Sequence, residues 1–431
     1  MAELHLMKSS TIPTLPITHC CPACGLLCDD LVLTATLPMN IKNACAKSVS
    51  FYNNAWQENL SVPLLAGKAS DLNTTIQAAA DILRASNQPL FSGLGTEVQG
   101  MRAMIGLAKK TNATLDHMHS EGTVRNTLAM QNSGWQTTTL TEIKNRADII
   151  LAIGTDIVTS HPRFFEKLVW NASSLFDKPS PEIIYLAAPK NTPEDNLKAG
   201  ISPTGKMPTI ITADTSKLPE IISTLNALMN GKKITVDQVA GVAIATLLEV
   251  LDKLKTAKYA VITWSASNFQ YTHAELTVQS ITHLIAKLNE STRVAGLPLN
   301  SGDGDSTVNN VSTWLSGYPT RSRHFEGQTA YDAYYFSSTQ QLKKCDALLW
   351  VSTFNAHLPP HCDAPTIVIG HANMQFDKAP DVFIPVGIPG VDHAGSIFRM
   401  DSSVAMPLKK LRENQLPSLS EVIHQIEALL T

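Results

Sequence analysis

Ala147-Asp-Ile-Ile-Leu-Ala-Ile-Gly154 is a continuous apolar run closed by glycine, with Asp156 just beyond. Such a run, bounded by a turn signal and lacking polar alternation, reads as a strand buried on both faces, the kind a parallel sheet needs. Working outward, Ser70–Ser86 places Leu72, Ile76, Ala79, Ala80 and Leu83 at helical spacing. Pro89-Leu-Phe-Ser-Gly93 reads as a second strand ending in a glycine turn, followed by a helix over Met101–Lys110. Residues 183–187 (IIYLA) repeat the strand pattern, and residues 190–216, rich in Pro, Thr and Lys, read as a loop or linker. A second series follows, with helices expected at 235–255 and 273–290 and strands at 259–263, 347–351, 366–369 and 382–385. Residues 419–430 form a closing helix. Alternating strands and helices make the chain α/β, with parallel sheets flanked by helices. The expected division is a cysteine-rich segment at 1–65, a first α/β domain at 66–215 and a second at 216–431.

The charge balance of 34 basic and 37 acidic side chains gives a net charge of -3, which leaves no electrostatic footprint for nucleic acid or an anionic membrane. No window approaches 18 uninterrupted apolar residues, and residues 1–19 make a poor leader, so the cytoplasm is the expected compartment. Five of seven cysteines fall in the first 45 residues and none lies from 46 to 344, which is not a disulfide framework.

Cys21-Pro-Ala-Cys24-Gly-Leu-Leu-Cys28, with Cys45 later, has the form C-x2-C-x3-C-x16-C. Three thiols within eight residues and a fourth returning can surround one small centre, and soft sulfur donors favour a [4Fe–4S] cluster or zinc. Gly25 would let the backbone approach the sulfides, and Cys20 is an alternative first ligand in register. Zinc sites more often pair two C-x2-C knuckles, which this segment lacks, so a cluster is the expectation; four metal-free core thiols are the bland alternative. Cys345 and Cys362 read as buried bystanders.

CPACGLLCDD resembles the N-terminal iron–sulfur motif of the B-type subunit of formylmethanofuran dehydrogenase, a member of the molybdopterin oxidoreductase superfamily. The likeness continues through 88–100 (QPLFSGLGTEVQG), 139–167 (TLTEIKNRADIILAIGTDIVTSHPRFFEK), 309–321 (NNVSTWLSGYPTR) and 385–401 (PVGIPGVDHAGSIFRMD), nearly the whole chain. It implies that superfamily's fold without its C-terminal β-barrel domain. In the active dehydrogenase, tungsten or molybdenum is held by two pterins and a cysteine or selenocysteine, which would fall near 116–124. This chain has no cysteine there, leaving His119, Ser120 or Glu121 as substitutes, or an abandoned site. The resemblance also implies that Gly93, Gly95, Gly154, Arg163 and Arg399 line a pterin cavity, here vestigial, with the tungsto- or molybdopterin absent.

A related complex in methylotrophic bacteria fits such a loss. Its A-, B-, C- and D-type subunits move a formyl group from formyl-tetrahydromethanopterin to methanofuran and hydrolyse it to formate without a redox step. The resemblance implies that the B-type chain is a structural partner of the A, C and D subunits, with no catalytic residue of its own. The alternatives are an active dehydrogenase subunit with a non-cysteine metal ligand, and a stand-alone cluster-binding electron carrier. His357-Leu-Pro-Pro-His361-Cys362 reads as a turn, because two prolines break any helix between the histidines, and Asp303-Gly-Asp305 reads as a surface turn. No G-x-S-x-G, H-E-x-x-H or Walker loop occurs.

Overall fold

Ile149–Ile153, buried at every residue, is the central strand of a five-stranded sheet. It pairs in parallel with Glu182–Leu186 on one side and Ala260–Trp264 on the other; Thr209–Ile211 and Val294–Pro298 extend the sheet outward, also in parallel. The two faces explain the unbroken apolar sequence. Ile149, Leu151 and Ile153 pack with buried residues of the helices Leu218–Met229, Ile244–Thr256 and Ala274–Leu288. Ile150 and Ala152 face the opposite cluster, which contains Phe164, Phe165 and the cysteine-rich segment. Each side chain of the run therefore leaves water, whichever way it points. The structure is a computed structural model that describes residues 18–34, 40–56, 62–171, 173–176, 178–300 and 302–430; residues 1–17 of the poor leader lie outside these.

A second sheet of nine strands is parallel at its centre, in the spatial order Thr114–Leu115, Pro89–Gly95, Ala347–Ser352, Thr366–His371, Val382–Val386. Antiparallel hairpins finish both edges. Helices Leu72–Ala85, Val98–Thr111 and Leu419–Leu429 bury Ile76, Met104 and Ile423 against Phe91, Leu349 and Ile369 on one face. Their starts are capped: Asp71 accepts from Thr74 N–H, Glu97 from Gly100 N–H, and Ser418 and Glu421 form a reciprocal capping box. Each cap is worth about 1 kcal/mol.

Chain order does not follow the sheets. The strands at 260–264 and 294–298, beyond residue 215, hydrogen-bond into the sheet of 149–153, while those at 347–386 join 89–95. The chain starts the large sheet, leaves to build the small one and returns, so residue 215/216 is not a boundary between sheets. The expected linker 190–216 contains a helix, Glu194–Lys198, and the small sheet's edge strand Thr209–Ile211. The helix expected from 235 begins at Ile244, after a hairpin of Gln238–Val239 with Val242–Ala243. No helix among the described residues is long and apolar enough to cross a membrane.

Candidate functional site

Cys21, Cys24, Cys28 and Cys45 line one cavity, closed by Ala23, Leu26, Leu31, Ser48 and Arg163. The turn 21–28 is drawn together by Cys21 N–H to Cys28 O (2.9 Å) and Leu27 N–H to Cys24 O (3.2 Å). Cys45 arrives at the start of the helix Ala46–Ala55, its N–H donating to Ser48 Oγ at 2.8 Å. Cys20 does not line the cavity; its thiol points to Leu27 O at 3.7 Å. Geometry thus places Cys21, and not Cys20, with the other three thiols. Burial pushes the Cys21 and Cys24 thiols up and Cys28 up to about 12, so they stay protonated unless a cation is bound. The donor set, four converging thiols with apolar walls, fits a soft metal centre. Gly25 does not face this cavity: a Cβ there would meet Asn300 Oδ1 at 2.2 Å, so its small size serves packing against Asn300.

Each parallel sheet has one point where strand order reverses, and ligands of open α/β sheets sit beyond the strand carboxyl ends there. In the small sheet that point lies between Ile149–Ile153 and Ala260–Trp264. Beyond it opens a cleft of about 550 Å³ lined by Thr155, Asp156, Ser160, Ser265, Asn268 and Asn300. Gly154, at φ +62°, makes the turn into it, and a Cβ would meet the Phe269 ring at 2.6 Å. The cleft's lysine, Lys190, is paired with Asp214 at 2.6 Å, which leaves Asp156 in excess and no net positive charge for a diphosphate. A second cleft of about 350 Å³ shares Ser267 and Asn300 with the first. Asn300 is held between them, accepting from His161 Nε2 (3.1 Å) and donating to Asp305 Oδ1 (2.8 Å).

In the large sheet the reversal lies between Pro89–Gly95 and Ala347–Ser352. Gly93 is required there: φ is +76° and a Cβ would sit 2.4 Å from Val351 O. Gly95 lies against the end of Met118, 3.0 Å from where its Cβ would be. Into this crevice come His119, at the start of the helix Ser120–Ser133, and His357, after the strand Ala347–Ser352. Asp303 joins them from the loop following Val294–Pro298. Both imidazoles point Nε2 at Asp303 Oδ2, at 3.1 Å and 3.2 Å. Asp303 is not a surface turn: its side chain is 9% exposed, and the buried carboxyl, raised by desolvation, is held well below its usual range by hydrogen bonds from His119, His357 and Asn355. Contact with Asp303 in turn raises His357. His361 takes no part, being 79% exposed.

The other expected site residues are bound elsewhere. Ser120 Oγ accepts from Arg321 at 3.1 Å, and Glu121 pairs with the same guanidinium at 2.7 Å, so neither faces the crevice as a ligand. Arg163 grips both Asp30 oxygens (2.7 and 2.8 Å) and both Glu166 oxygens, tying the cysteine turn to the segment beside the small sheet. Arg399 is used within its own hairpin, on Asp401 (2.7 Å) and Ser403 (2.9 Å). Cys345 and Cys362 are half-buried rather than buried, with their sulfurs 3.7 Å apart. Sequence assigns neither Asp303 nor His357 to a site, because Asp303 stands 184 positions from His119 and 54 from His357; only the histidine-rich DHMH signal at 116–119 is legible.

No family model matches the chain. It is 26% identical over 416 residues to the B-type subunit of the tungsten-containing formylmethanofuran dehydrogenase 2 of Methanococcus maripaludis, covering 91% of this chain and 92% of that one. The corresponding chain of Methanocaldococcus jannaschii is 25% identical over 412 residues, with the same coverage of 91% and 92%. The B-type subunit of the formyltransferase/hydrolase complex Fhc of Methylorubrum extorquens is 28% identical over 342 residues, 77% of this chain and 86% of that one. The fold matches a chain in the crystal structure of the M. extorquens formyltransferase/hydrolase complex (FhcABCD) with methylofuran, at TM-score 0.71 and 24% identity over 86% of this chain and 98% of that one. The chain is a homologue of the B-type subunits of formylmethanofuran dehydrogenase and of the formyltransferase/hydrolase complex.

Proposed function

We propose that this chain is the B-type subunit of a formyltransferase/hydrolase complex, holding A-, C- and D-type partners in place without a redox centre of its own. Its two sheets, with their crevices beside Asn300 and Asp303, are read as the molybdopterin-oxidoreductase arrangement kept after its cofactor was lost. One observation carries this reading. The crevice segment where the resemblance puts a metal-ligating cysteine runs Asp116-His-Met-His-Ser-Glu121, without a thiol. Arg163, Arg321 and Arg399 support it, since all three spend their charge on this chain's own carboxylates rather than on a cofactor phosphate. A role inside an assembly agrees with the exposed apolar side chains concentrated in residues 314–335, where Trp314 is 62% and Tyr334 58% exposed.

The four thiols Cys21, Cys24, Cys28 and Cys45 hold the metal centre in this reading, an iron–sulfur cluster by spacing. Iron and acid-labile sulfide in the isolated chain support a cluster, while zinc alone assigns the site to a structural ion. The runner-up, an active pterin–metal subunit, uses His119, the one suggested ligand whose side chain faces the crevice. Affinity purification of the tagged chain from its native cells tests the main reading. It expects three further subunits and formyl transfer without viologen-linked formylmethanofuran oxidation. A chain that purifies alone, or with that oxidation, refutes it.

A further inference from the structure

We propose that His119, Asp303 and His357 form a binding site for one divalent transition-metal ion of the zinc class, separate from the thiol centre. The three come from different elements and meet at the strand-order reversal of the large sheet, where open α/β sheets place ligands. Their ligand atoms all lie within 4.8 Å of one another. Two ligands about 2.1 Å from a tetrahedral ion stand about 3.4 Å apart. The two Nε2–Oδ2 separations, 3.1 Å and 3.2 Å, are already close to that. An ion bound there takes the place of the protons that now bridge each ring to the carboxylate.

The support around these three atoms is that of a built site. Asp303 adopts φ +51° although it is not glycine, a conformation that the surroundings hold in place. What imposes it is visible: Gly304 follows at φ +75° and lies so close to Thr96 that a Cβ would sit 2.4 Å from its carbonyl oxygen. Asn355 Nδ2 donates to Asp303 Oδ1 at 2.6 Å, turning Oδ2 toward the histidines. His117, 3% exposed, sits under the site. Its Nε2–H donates to Asp303 O at 3.2 Å, and its Nδ1 accepts His119 N–H at 3.0 Å. Partners of this kind orient ligands in metal sites. The carboxylate forms the floor, while His119 (33% exposed) and His357 (45%) face solvent, so water can complete the coordination. Two imidazoles and one carboxylate suit zinc and its first-row neighbours rather than calcium or magnesium. The inference rests on this geometry and not on the assembly proposed above.

Cobalt(II) titration of the full-length chain tests it, because nitrogen and oxygen ligands give visible ligand-field bands without the near-ultraviolet charge-transfer band of thiolates. The wild type is expected to show one equivalent of such thiolate-free cobalt, displaced by zinc. Asn355→Ala should weaken it by roughly 10–100-fold, and His357→Ala and Asp303→Asn by more. His357 is half-exposed on a loop and Asp303 keeps its bonds to His119 and Asn355, so H357A should stay folded and keep the thiolate band. Absence of thiolate-free cobalt in the wild type, or equal affinity in H357A, overturns the proposal and reduces the trio to a hydrogen-bonded cluster.

Discussion

Replacing Arg163 by Met should detach the cysteine turn from the small sheet while keeping most of the aliphatic stem. The Arg163 side chain is 6% exposed and spans two carboxylates that differ in worth. Glu166 is 62% exposed, so its pairing contributes no more than about 1 kcal/mol. Asp30 is 31% exposed and receives two charge-assisted bonds, at 2.7 and 2.8 Å, each worth about 1.5–3 kcal/mol in a dry setting. Partial solvation and the remaining partner Lys167, 3.2 Å away, reduce their loss. The sum is about 2–3 kcal/mol, to be read as a shift in the urea midpoint of the full-length chain. Arg163 also forms a wall of the thiol cavity and its charge favours the Cys24 and Cys28 thiolates, so the rate at which these two react with an alkylating reagent should change in the variant. Arg163→Lys should recover less than half of the loss, because an ammonium cannot grip a carboxylate with two bonds. A loss below about 0.5 kcal/mol with unchanged thiol reactivity would refute the clamp.

Gly304→Ala and Gly317→Ala both place alanine at positive φ, but only the first puts a Cβ into backbone, at 2.4 Å from Thr96 O. Gly304→Ala should therefore cost at least about 2 kcal/mol more than Gly317→Ala in thermal unfolding, and equal losses would remove the close approach as the reason. Burial pushes His161, His324 and His371 down to about 4, so below the unfolded value the unfolded chain binds protons that the native chain refuses. Stability is then full above pH 6.5 and is lost as pH falls from 6.5 toward 4, while His357, raised by Asp303, works in the opposite sense. The net loss between pH 7 and pH 5 should be at least about 2 kcal/mol, and a flat urea midpoint across that range would contradict it. Cys21→Ser should abolish the metal content of the thiol centre and Cys20→Ser should preserve it, since only Cys21 lines the cavity; the reverse pattern would reassign the first ligand.

Strands buried on both faces are legible because burial leaves an unbroken apolar word, as at 147–154 and 347–351. Val294–Pro298 is not, since Gly296 and Pro298 interrupt the pattern; the glycine is there because the Trp264 ring lies over it, 2.9 Å from where a Cβ would be. The interleaving of the sheets is hidden for a similar reason: which strands pair across residue 215 is decided by packing, not by local sequence. Short spacing makes the thiol centre readable, because three of its four ligands lie within eight residues. The His119, Asp303 and His357 trio has no spacing to read, and Asp303 looks like a surface turn until the loop is seen packed on Thr96. Resemblance points to the arginines, but only geometry shows that Arg163 and Arg399 are engaged by neighbouring carboxylates.

The central claim, a redox fold retained for assembly, is tested most directly by the tungsten and molybdenum content of the purified native complex containing this chain. The account expects neither metal above background, alongside iron or zinc at the thiols. About one tungsten or molybdenum per chain would contradict it.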